Sequence, residues 1–177
     1  MKNYLLFFSL TLLLTACSHT SYYIVRHAEK ASANGNDAMM GKDPPLTEAG
    51  KLRAEALKEM VKTKKIGYVF STNTIRTRST AEPVRAYFNL VTETYSPMPD
   101  SSFINRIKSL KKNTLIVGHS NTVDDIVNKL CGSIKITADL GDTEYNNLYI
   151  VKRKGRKMNF VRKDLLGETK KYGTPSK

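Results

Sequence analysis

Two of the three histidines in the 177-residue sequence close the same kind of run. His27 ends Ile24-Val25-Arg26-His27, and His119 ends Ile116-Val117-Gly118-His119. Short, β-branched apolar runs of this sort read as buried strands, so both rings would stand where strands stop. A third run, Val69-Phe70-Ser71, leads through Thr72-Asn73-Thr74-Ile75 to Arg76, in the first turn of a predicted helix. Helix N-termini attract anions through their free N–H groups and macrodipole. Arg26 and Arg76 add guanidinium forks that suit phosphate oxygens. A neutral imidazole, whose free pKa is near 6.5, can attack phosphorus and form a covalent intermediate. The chemistry this pattern points to is phosphoryl transfer. A strand-end histidine or a helical arginine (Arg76, or Arg78 beside it) is commonly structural when it stands alone. His19, the third histidine, is read as part of a tether.

These side chains need a scaffold that gathers strand ends on one rim. Strands are predicted at Tyr22–Arg26, Ile66–Ser71, Val91–Tyr95 and Thr114–Gly118, and then at Tyr145–Val151 and Lys157–Val161 with a Lys154-Gly155 turn between them. Between them lie helical spacings. Ala49, Leu52, Ala56 and Met60 follow Thr47 as N-cap, and Phe103, Ile107 and Leu110 mark a short helix. Val123, Ile126, Val127 and Leu130 mark the helix after His119, and Cys131 closes it as a small buried hydrophobe. A further helix from Thr74 to Tyr87 contains Pro83, which predicts a kink or break. Alternating strands and helices predict a three-layer α/β/α sandwich with a mostly parallel sheet and an antiparallel C-terminal edge hairpin. Ligands of such sheets bind at the carboxyl ends of the strands, where His27, His119 and Arg76 would meet. The loops Ala31–Lys42 and Ser96–Ser102 would line the entrance.

Four segments, in order, carry a family resemblance. Arg26-His27-Ala28-Glu29 resembles the Arg-His-Gly/Ala signature of the histidine phosphatase superfamily, in its phosphoglycerate-mutase-like branch. Asp43-Pro44-Pro45-Leu46-Thr47-Glu48-Ala49-Gly50 is similar to the lead into that family's first helix, Thr72 to Ala81 to its second motif, and Gly118-His119-Ser120 to its third. The resemblance implies that His27 is the phosphorylated nucleophile and that Arg26, Arg76 and His119 surround the phosphoryl group, with Ser120 and Asn121 adding N–H donors. No cofactor is implied, and Asp124 and Asp125 beyond His119 match no standard metal-ligand spacing. The family usually has a carboxyl group that protonates the leaving oxygen. Asp100 is preferred over Glu93, which falls within a strand, although Asp100 followed by Ser101 reads equally well as a helix cap. Glu29 and Lys30 would border the pocket mouth.

The chain ends read differently. Lys2, the apolar run Tyr4–Leu14 and Leu14-Thr15-Ala16-Cys17 have the layout of a secretory signal ending in what resembles a bacterial lipobox. This divides the chain into a signal peptide (1–16), a lipidated tether (17–21) with the acyl chains on Cys17, a phosphatase domain (22–164) and a flexible tail (165–177). The expected location is the extracytoplasmic side of a bacterial membrane, and Ser18 after the Cys favours the outer one. The net charge of +13 favours anionic partners, although no motif reads a nucleic-acid groove. The expected partners are a small phosphorylated substrate and the membrane, with the chain a monomer. The short chain favours monoester hydrolysis over a mutase reaction. A non-catalytic phosphate- or polyanion-binding module is the reading from another class.

Overall fold

The computed structural model describes residues 19–32 and 43–165. In chain order the elements are β1 (His19–Arg26), α1 (Glu48–Val61), β2 (Ile66–Ser71), α2 (Ile75–Tyr87), β3 (Thr92–Thr94), α3 (Ser101–Ser109), β4 (Asn113–Gly118), α4 (Ser120–Cys131), β5 (Asn147–Lys154) and β6 (Lys157–Asp164). They form one six-stranded sheet in the order β3-β2-β4-β1-β5-β6. The first four strands are parallel, and β5 and β6 form an antiparallel hairpin on the β1 side. The predicted architecture is therefore observed.

Alternation along β1 explains the layers. Tyr22 and Ile24 point to one face, where Ile104 and Ile107 of α3 and Val123, Ile126 and Leu130 of α4 cover them. Tyr23 and Val25 point to the other, against Leu57 and Val61 of α1 and Ala81 and Val84 of α2. A strand buried on both faces reads as a continuous apolar run, because every side chain finds a core. The chain moves outward from β1 to β3 with α1 and α2 on one face, then returns to β4 through α3. The reversal puts the carboxyl ends of β1 and β4 side by side, the position where such sheets bind ligands.

Several boundaries move. β1 begins at His19, not Tyr22, so residues 19–21 are strand rather than tether. Their side chains are polar and carry no apolar period. Their place comes from the backbone, since Thr20 pairs with Arg153 and Ser21 with Lys152 of β5. The Ser21 N–H also donates to Asn113 Oδ1 at 2.8 Å. Leu165 is buried, and its N–H donates to the Asn146 carbonyl at 2.7 Å, so it belongs to the domain rather than to the tail. α2 passes through Pro83 without a break, Thr47 caps α1 as predicted, and Thr74, the predicted start of the next helix, is the cap of α2. The segment expected to be a signal peptide, Cys17, most of the 31–42 loop and residues 166–177 lie outside the described residues. Among the described residues, no helix is long and apolar enough to cross a membrane.

Candidate active site

His27 is the first residue after β1, and its N–H donates to the Gly118 carbonyl at the end of β4 (2.8 Å). Only glycine fits at 118, because a Cβ there would lie 2.7 Å from the Tyr95 hydroxyl. His27 Nδ1 lies 2.8 Å from the Ala28 carbonyl oxygen. A carbonyl can only accept, so Nδ1 carries the proton and the Nε2 lone pair is left free for chemistry. The next peptide is pinned as well: Ala28 N–H donates to Thr80 Oγ1 at 2.9 Å, and Thr80 is anchored on the Arg76 carbonyl at 2.7 Å. One helix thus holds both the nucleophile's backbone and the second arginine.

His119 is the N-cap of α4, with its ring 5.5 Å from that of His27 at an interplanar angle of 66°. Its Nε2 is 2.8 Å from Thr72 Oγ1, which belongs to a hydroxyl cluster with Thr77 and Thr74. This fixes one side of the ring and leaves Nδ1 for a ligand. Ser120 and Asn121 open α4, where the first N–H groups have no acceptor within the helix. The Ser120 carbonyl accepts from Leu140 N–H at 3.1 Å.

The arginines are built in. Arg26 is buried, with its Nη1 donating to the Gly141 carbonyl at 2.6 Å and its guanidinium carbon 4.4 Å from the centre of the Tyr145 ring. Arg76 Nη1 donates to Asp43 Oδ1 at 3.1 Å, and Asp43 Oδ2 accepts the Ile75 N–H at 2.8 Å, so one carboxylate orients both Arg76 and the start of α2. Arg26 Nε and Arg76 Nε are both buried without a hydrogen-bond partner. An orphaned buried guanidinium N–H is costly, and an anion that supplies its acceptor oxygens there removes the cost.

This charge field acts on the histidines. Burial pushes the His27 pKa down to about 4; the bond to Ala28 opposes the shift, and the positive charges of Arg26 and Arg76 add to it. His119 is also lowered to about 4, first by burial and then by Arg76 and Arg26, with Asp43 opposing. Both rings are therefore neutral at neutral pH, as a nucleophile must be.

The predicted residues His27, Arg26, His119 and Arg76 are brought together, with Ser120 on the adjoining helix start. Asp100 takes the cap position that the sequence also allowed. It is the N-cap of α3, and its Oδ1 accepts from Phe103 N–H and the Ser102 hydroxyl, each at 2.8 Å. The Phe103 N–H and the Ser102 hydroxyl hold its carboxyl below the usual range. A carboxylate stabilised in this way is a poor proton donor. The other nearby acids are engaged too. Glu29 forms a bidentate pair with Arg53, Asp43 holds Arg76, and Glu144 accepts the Gly141 N–H at 2.6 Å. Asp43, Thr72, Thr80, Gly141 and Tyr145 had no assigned site role in the sequence reading, since each reaches the site across a long stretch of chain. Asp43 lay within a quoted motif, and its place before the Pro-Pro stop was the available signal. A cavity of about 560 Å³ between α1 and α2, lined by Leu52, Ala54 and Pro83, contains none of these cations.

The arrangement gathers two buried arginines and two neutral histidines at one rim of the sheet. The model of the histidine phosphatase superfamily, branch 1, matches residues 22–98. That span holds the His27 and Arg76 motifs. The protein histidine phosphatase SixA complexed with tungstate superposes with a TM-score of 0.63 at 19% identity, over 83% of this chain and 98% of that one. A phosphoglycerate mutase from Bacillus anthracis gives 0.61 at 15% identity, over 88% and 97%. A mycobacterial glucosyl-3-phosphoglycerate phosphatase gives 0.57 at 10%, over 81% and 97%. At these identities the likeness establishes the shared fold. Comparison with curated protein sequences finds no match.

Proposed function

We propose that the chain hydrolyses phosphate monoesters through a phosphohistidine on His27. The observation that carries this reading is the pairing of a free His27 Nε2 with two buried, unpartnered guanidinium N–H groups. In the first step Nε2 attacks phosphorus and the bond to the leaving oxygen breaks. Arg26, Arg76 and the α4 N-terminus stabilise the charge on the non-bridging oxygens. In the second step water takes the phosphoryl group from Nε2, giving inorganic phosphate and free His27. Glu29, Asp43 and Glu144 are held by other partners, so substrates whose leaving oxygen needs little protonation are favoured.

Purified protein is assayed with an aryl phosphate between pH 5 and 8. Wild type turns over and accumulates an acid-labile phosphohistidine, while His27→Ala loses activity by at least about a thousand-fold and traps no phosphate. Full activity in the variant removes the mechanism. Tight phosphate binding without turnover in wild type favours the non-catalytic module.

We further propose that Cys17 carries a lipid anchor holding the domain on the extracytoplasmic side of a bacterial membrane, the outer one in a two-membrane cell. Cys17→Ser then releases the protein to the soluble fraction, and continued incorporation of labelled fatty acid excludes this site.

A further inference from the structure

Every cation of the candidate site lies at the carboxyl end of the parallel strands. The opposite end is basic as well, for a different reason. Three segments meet there: residues 62–66 before β2, residues 108–113 before β4, and residues 152–158 around the β5–β6 turn. None contains an Asp or Glu, and most of their positions are Lys or Arg.

Contacts show that this is one surface. The Asn113 side chain donates to the Lys64 carbonyl and accepts from Ser21 N–H at the start of β1. The Lys112 side-chain carbons lie against Gly67, where a Cβ would come within 2.5 Å of them. Arg153 donates to the Lys108 carbonyl. Lys154 stands opposite both His19 and Lys157 in the sheet register, so the turn at Gly155-Arg156 projects past the first residue of β1. Lys64, Lys65, Lys111, Lys112, Lys154 and Arg156 are exposed. Glu59, two residues before α1 ends, is paired with Lys58 and Lys62.

We propose that this end of the sheet docks flat on an anionic lipid surface, so that the catalytic rim faces away from the membrane. Two features favour a bilayer over nucleic acid. First, the cations surround the end of the sheet where β1 begins, rather than lining a groove, and no aromatic side chain is interleaved among them. Second, β1 leads from this surface directly to His27, so its eight residues hold the nucleophile roughly 25 Å from the headgroups. Basic residues held close to an anionic leaflet attract it, and the attraction decays within a Debye length. The surface is formed by described residues and does not depend on acylation of Cys17.

The test uses full-length Cys17→Ser protein, which carries no acyl chain, and vesicles of phosphatidylglycerol or phosphatidylcholine. The quantity read is the ratio of the two affinities, which cancels any apolar contribution of the N-terminal run. Wild-type charge gives a preference of at least about a hundred-fold for the anionic vesicles near 0.05 M salt. The ratio falls toward one in 0.5 M salt, and also in the combined variant Lys64→Glu, Lys112→Glu, Lys154→Glu and Arg156→Glu. Inorganic phosphate binding stays unchanged in that variant, confirming a folded domain. Adding His27→Ala leaves the ratio intact, which separates this surface from the catalytic reading. A preference that survives the four reversals overturns the proposal. Transfer of the protein to duplex DNA at equal phosphate concentration overturns it in favour of nucleic acid.

Discussion

The two ends of the sheet are both cationic, and they use charge in opposite ways. At the carboxyl end, two arginines are held by a carbonyl, a carboxylate and an aromatic ring, and each keeps a buried N–H with no partner. At the amino end, many lysines stand exposed on turns. A buried, oriented guanidinium acts at hydrogen-bond range, where low dielectric makes it strong. Exposed ammonium groups act as a sum, screened by salt. The first arrangement can select a phosphoryl group and stabilise its transition state. The second can only select a sign of charge. Net charge alone, +13 for the chain, hides this division.

The sharpest way to test the division is to remove one cation from each end. Arg76→Ala is expected to lower kcat/KM on an aryl phosphate by about 10²–10³-fold, the usual cost of deleting an oriented transition-state donor. Arg76→Lys restores little, because an ammonium cannot reproduce the fork that Asp43 aligns. Lys64→Ala at the other end leaves kcat/KM unchanged. Steady-state kinetics on the three variants would break the comparison if Lys64→Ala and Arg76→Ala cost the same.

The readable and unreadable parts of the molecule divide on similar lines. Strands β1, β2 and β4 were legible because strands buried on both faces show as apolar runs, and His27 and His119 were legible because they stand where those runs stop. Arg76 could be placed because it falls in the first turn of the helix that follows the Val69-Phe70-Ser71 run. The supports could not be read in the same way. Asp43 reaches Arg76 across 33 positions, Thr80 reaches Ala28 across 52, and Gly141 reaches Arg26 across 115. No local period encodes such contacts. The start of β1 was missed for a related reason: Thr20 and Ser21 look like tether, and only their pairing with β5 makes them strand.

A second expectation follows from the burial of the two histidines beside the arginines and concerns pH. His27 and His119 titrate near 4 in the fold and near 6.5 in the unfolded chain. As pH falls from 6.5 toward 4, the unfolded chain binds protons that the folded chain refuses, so stability is lost across that window and is restored above it. Between pH 7 and 5 the loss is on the order of 2 kcal/mol for each fully neutral histidine. Inorganic phosphate favours the charged rings, raises both pKa values and reduces the loss. Urea midpoints at pH 7 and 5, with and without phosphate, measure this. Midpoints that do not move with pH would mean that burial, with the arginines beside it, does not hold the histidines neutral.

The smallest effect belongs to Asp100, the cap of α3. Its carboxylate already satisfies the first N–H groups of α3. A capping side chain acts on helix stability, whereas an acid acts on the leaving group. Asp100→Ala is therefore expected to lower Tm by about 3 °C, typical for loss of a cap in a domain of this size. Its kcat on aryl and alkyl phosphates should match wild type, and Asp100→Asn, which retains a capping oxygen, should restore Tm. The acid role and the cap role differ most on alkyl phosphates, whose leaving oxygen depends on a proton. A selective loss there in Asp100→Asn, with Tm unchanged, would return Asp100 to the reaction and show that the loop before α3 reaches the phosphate cradle during turnover.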